Sequence, residues 1–184
     1  MAFPISVAVA DLTAALSDPR WDALLIVAED FTALPSASLQ AAVSQFQQID
    51  QRIGKEAVLC LTEVAPGQRL ILSATGPLNR DYDDVRAFAD AAKQGISQAK
   101  SSGARSPLLL VLAPQSPVYQ QAKAVAYLGA CQALWQPLEG REALGETKVE
   151  PVQQVGVVGI SDADADYLNA VEAGKRLARD LCGT

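Results

Sequence analysis

Six short apolar runs punctuate the chain: FPISVAV (3–9), DALLIVA (22–28), AVLCLTEV (57–64), RLILSAT (69–75), PLLLVLA (107–113) and VGVVGI (155–160). They alternate with longer stretches of helical period, which predicts an α/β domain built on a sheet. DALLIVA and PLLLVLA are almost wholly apolar, as central strands covered on both faces require. Ala65, Pro66 and Gly67 separate AVLCLTEV from RLILSAT and predict an antiparallel hairpin. The expected architecture is therefore a mixed β-sheet flanked by helices.

Four helices fit between and after these runs. The first, capped by Ser36 or Ser38, carries Leu39, Ala42, Val43, Phe46, Ile49 and Ile53 along one stripe. The second starts near Asp81, presents Val85, Phe88, Ala89, Ala92, Ile96 and Ala99, and ends at Gly103. The third opens with Ser116 as N-cap and Pro117 in its first turn. One of its faces has Ala124, Tyr127, Leu128, Cys131, Leu134 and Trp135; another has Val118, Ala122, Val125, Ala126, Gly129 and Ala133. A helix apolar nearly all round should be sandwiched on both sides, either by the rest of the domain or by a partner. In the fourth, Glu172, Arg176 and Asp180 line one face at four-residue spacing. Tyr167, Ala170, Val171, Gly174, Leu177 and Leu181 repeat on the other, and Gly183 follows as a C-cap.

Composition narrows the class without changing it. The 184 residues suit one domain, 1–184, large enough to bury roughly 70% of the surface of its unfolded chain. Aromatics make up only 5%, so the core is built mainly from Ala, Val, Leu and Ile. No apolar run approaches the ~20 residues that span a bilayer. A net charge of −6 without a basic cluster argues against nucleic acid or an anionic membrane as partner. Cys60, Cys131 and Cys182 are odd in number, far apart and set in apolar patterns. They read as buried thiols of a cytoplasmic protein.

Candidate chemistry is sparse. With no histidine, His-based metal sites, Ser-His-Asp triads and Cys-His pairs are excluded. Acidic residues cluster at Asp81, Asp83, Asp84 and at Asp162, Asp164, Asp166. Both clusters precede helices, where carboxylates cap free N–H groups; a divalent-cation site is the alternative. TGPLNR (75–80) and VGVVGI with Ser161 place glycines at strand ends, where backbone N–H groups either bind phosphate or make ordinary turns. No catalytic, cofactor-binding or metal-binding residue can be assigned.

The stretches GPLNRDYDDVRAFADAAKQGI (76–96), PLLLVLA (107–113), AVAYLGACQALWQPLEGRE (124–142) and EAGKRLARDLCGT (172–184) together resemble the leucyl aminopeptidase family. The likeness is greatest to an aminopeptidase branch found in animals. In that family an N-terminal, macro-domain-like α/β domain precedes a C-terminal catalytic domain. Glu172, Gly174, Arg179, Asp180 and Thr184 match the pattern of the connecting helix. The resemblance implies that this chain is the N-terminal domain of a longer protein, a cytosolic homohexamer removing N-terminal residues from peptides. Two divalent ions, zinc or manganese, would then sit in the catalytic domain, around a motif resembling NTDAEGR that this chain lacks. Glu139, Gly140 and Arg141 spell EGR without its preceding residues, and are expected to form a helix-ending turn. A stand-alone macro-like domain binding a nucleotide or ADP-ribose is the alternative, although the Gly-rich phosphate loop and Asn-Ala-Ala stretch of macro domains have no counterpart here.

Overall fold

The computed structural model describes residues 4–144 and 150–182. Six strands form one sheet: β1 (Ile5–Val9), β2 (Ala23–Ala28), β3 (Val58–Leu61), β4 (Arg69–Ala74), β5 (Pro107–Leu112) and β6 (Gln154–Val158). Their order is β1-β6-β5-β2-β4-β3. Neighbours are parallel except β3 and β4, which pair antiparallel with Cys60 opposite Leu70. All six apolar runs are strands, and the hairpin is where its turn residues place it. β3 is shorter than its run, because the chain turns from Thr62 into a 3-10 turn at Pro66–Gln68.

Every residue of β2 is buried, so both faces of the sheet are covered. Leu25, Val27, Ile71, Leu109 and Val157 point to one face, against α3 (Arg86–Ser101), α4 (Ala122–Leu134) and α6 (Asp162–Cys182). Leu24, Ile26, Leu70, Leu72 and Leu110 point to the other, against α1 (Leu12–Leu16) and α2 (Ala37–Ile49). A further helix, α5 (Leu138–Leu144), follows α4. α1 and α5 span 5 and 7 residues, too few for a helical period to show in the sequence.

The helices depart from expectation at their ends. α2 follows Ser36 and buries Leu39 and Val43, but Ile49 is 81% exposed and Ile53 lies beyond the helix. α3 starts at Arg86 rather than near Asp81, because Asp83 and Asp84 hold the preceding turns. Gly103, at φ +86°, follows its end. The third predicted helix is broken: Pro117–Tyr119 is a separate 3-10 turn after Ser116, and Val118 is exposed. The remainder, α4, is sandwiched as its composition demands. A Cβ on Gly129 would stand 2.6 Å from the Ala89 carbonyl oxygen, so small residues set the close approach of α4 to α3. Phe3, Gly183 and Thr184, drawn into the sequence reading, lie outside the described residues.

Ala126 is completely buried in this seam. An unpaired charge there costs several kcal/mol against a total stability of ~5–15 kcal/mol. Ala126→Arg should therefore abolish cooperative unfolding in denaturant melts, whereas Val118→Arg, on the exposed turn, should leave it intact.

Candidate functional site

The carboxyl ends of the parallel strands carry the loops that can meet a ligand. From β5 the chain passes through α4 to β6 on one side; from β2 it passes through α2 to the β3–β4 hairpin on the other. The connections diverge between β2 and β5, the switch point at which open α/β sheets form a crevice. A hollow of ≈ 530 Å³ opens where the chain leaves β5 for α4, lined by Val111, Ala113, Gln115, Ser116, Tyr119 and Lys123 among others. A second of ≈ 380 Å³ is lined by Asp11, Pro35, Leu110, Gly159 and again Lys123. Lys123 donates from Nζ to the Gly159 carbonyl at 2.7 Å.

Carboxylates around this rim serve their own loops. Asp11 caps α1 by accepting from the Thr13 N–H, and Glu29 accepts from the Leu78 N–H at 3.0 Å. Hydrogen bonds from Arg80 and Arg86 hold the Asp83 and Asp84 carboxyls below the usual range. Asp164 accepts from the Ser161 N–H and hydroxyl at 3.0 and 2.7 Å, and the hydroxyl bond lowers its pKa. Asp83, Asp84 and Asp164 thus secure turns and helix starts. Among the described residues no group of three His, Cys, Asp or Glu is placed to hold a metal ion.

Of the two glycine turns, one is already filled. Gly159 has φ +76°, but the N–H of the adjoining Ser161 is taken by Asp164, and a phosphate there would meet that carboxylate. Gly76, at φ +74°, has open space beside it.

The strongest departure from expectation is α6. Glu172 and Arg176 are 1% and 2% exposed, whereas Tyr167, Leu177 and Leu181 are 68%, 49% and 71% exposed. The charged face is turned in and the apolar stripe out. The ion pairs also differ from those at four-residue spacing, because burial brings in other elements. Arg179 pairs with Glu172, Arg176 with Glu150, and Arg141 of α5 with Asp180 at 2.6 Å. Trp135 donates from its indole N–H to Asp180 at 2.9 Å. The EGR triplet therefore opens a helix instead of closing one, since Arg141 is held against α6. Burial pushes the Glu172 carboxyl up, outweighing Arg179, and pushes the Arg176 guanidinium down. Cys182 rides on the outward side and is exposed, which corrects its reading as a buried thiol. Burial does hold Cys60 and Cys131, raised to about 11 and about 12, as neutral thiols.

The fold and its crevice define an α/β domain of macro-domain type. The Oceanobacillus iheyensis macrodomain with ADP superimposes with TM-score 0.53 at 15% identity, covering 97% of both chains. A tomato leucine aminopeptidase mutant superimposes with TM-score 0.66 at 17% identity, covering 97% of this chain and 38% of that one. In sequence, the Caenorhabditis elegans protein named "Putative aminopeptidase W07G4.4" is 35% identical over 179 residues, 90% of this chain. No protein-family model matches. The matches support an N-terminal domain of a leucyl aminopeptidase-like protein. The chain spans 33% of the length of the worm protein.

The inward face of α6 sets a pH dependence. An unfolded Glu172 ionises near 4.5, whereas burial keeps the folded residue protonated to higher pH. The folded state then binds more protons, and this residue's contribution to stability falls as pH rises from that value through the folded pKa. Glu172→Gln should therefore gain stability relative to the native chain across that window. Urea denaturation of both at a series of pH values measures the difference; a difference constant with pH would refute it.

Proposed function

We propose that this chain is the non-catalytic N-terminal domain of a metallo-aminopeptidase that removes N-terminal amino acids from peptides. The observation that carries the reading is the match to the worm protein, which takes in 90% of this chain but a third (33%) of that protein. The outward stripe of Tyr167, Leu177 and Leu181 supports it, because exposed apolar residues in a row suit a surface that another domain covers. On this reading α6 is pinned to its own domain by ions and offers its apolar side to the catalytic domain. The domain aids assembly or substrate access in a cytoplasmic hexamer, and zinc or manganese belongs to the catalytic domain. Residues 1–184, purified alone, should not hydrolyse leucyl amides with either ion added. Metal-dependent turnover that survives repurification from contaminating peptidases would overturn the proposal.

A second reading follows from the likeness to a macrodomain with ADP and from the hollows at the carboxyl ends of the strands. The rim opposes it: Asp164 holds the Ser161 N–H, and Asp11 and Glu29 stand nearby on the same strand ends. A ligand at 100 times its dissociation constant adds about 2.7 kcal/mol to the native state. Millimolar ADP-ribose should leave the melting temperature unchanged; a rise of several degrees would favour the macro-domain reading instead.

A further inference from the structure

The two edges of the sheet are finished differently. At the β1 edge, α6 closes the strand: the Ser6 N–H donates to Asn169 Oδ1 at 2.8 Å and Asn169 Nδ2 donates to the Ser6 carbonyl at 3.2 Å. The amide side chain takes the place of a neighbouring strand. At the β3 edge nothing comparable is found among the described residues. The Thr62 N–H bonds the Gln68 carbonyl, so by strand alternation Val58 and Cys60 also turn their backbone groups to β4. Leu59 and Leu61 therefore turn theirs outward.

Those two residues are also the exposed ones, Leu59 at 42% and Leu61 at 75%. Edge strands are normally guarded by lysine, proline, a bulge or a covering element. The β3 sequence, VLCL, has no charge and no proline. Its centre, Leu59-Cys60-Leu61, reads the same in both directions, as a two-fold, self-complementary contact requires.

We propose that two copies of this chain associate by antiparallel pairing of β3 with β3 about a two-fold axis at Cys60. Leu59 of one copy then faces Leu61 of the other, and the N–H and C=O groups that pair are the ones β4 leaves free. Val58 and Cys60 belong to the core under α1 and α2, so by alternation the leucines of both copies form one apolar cluster on the side of the sheet that carries α3. The register sets no like charges opposite one another, since Ala57 falls against Glu63 and Glu56 against Val64. The interface is smaller than the ~1,000 Å² of a stable complex, so the dimer is a reversible one at high concentration.

Sedimentation equilibrium of the 184-residue chain up to about 1 mM tests this. The native chain should show a reversible dimer. Leu61→Lys should be monomeric with unchanged circular dichroism and melting temperature. Tyr167→Lys, on the apolar stripe of α6, should dimerise as the native chain does. Leu59→Glu should also be monomeric alone, but mixed with Leu61→Lys it should recover a dimer, because the register sets the glutamate against the lysine. A native chain monomeric throughout, dimerisation that survives Leu61→Lys or is lost in Tyr167→Lys, or no recovery on mixing would overturn the proposal.

Discussion

A parallel sheet cannot leave either face in water, and this requirement organises the molecule. β2 is buried on both sides, so its alternate residues feed two separate cores, one under α1 and α2 and one under α3, α4 and α6. The close seam between α3 and α4 follows from it. With so few aromatic residues, the core must be filled by small side chains brought near one another, and Gly129 against Ala89 is where that approach is tightest.

The last helix solves a different problem. An amphipathic helix ordinarily buries its apolar stripe, because burial of Tyr and Leu is worth kilocalories and burial of ions costs them. Here Glu172 and Arg176 go inward and are tolerated because Arg179 and Glu150 meet them. Asn169 and Ala165, on the same inward side, fasten β1 through Ser6. The inversion makes one helix both a clasp on the sheet edge and an apolar surface facing out. Within a single domain that surface is a cost; it makes sense where another body covers it.

The strand-end crevice shows how a shared architecture can separate from a shared ligand. The divergence of connections between β2 and β5 makes a hollow in any such fold. Whether it holds an anion depends on what the turns present. At the turn after β6, Asp164 takes the Ser161 N–H and hydroxyl that the turn would otherwise offer an anion.

The strands, the hairpin and the two-sided sheet were legible in the sequence, because apolar runs of four to eight residues bounded by turn residues report burial directly. The small-residue faces of α4 announced a sandwiched helix for the same reason. The acids before α3 and α6 were readable as caps, since that bonding is local to the chain. Strand order was not written locally, and with it went the switch-point crevice and the contrast between the closed β1 edge and the open β3 edge. The orientation of α6 was equally hidden. Its periodicity separates a charged face from an apolar one, but which face turns inward depends on Glu150 and Arg141, residues distant in the chain that only the fold brings against it.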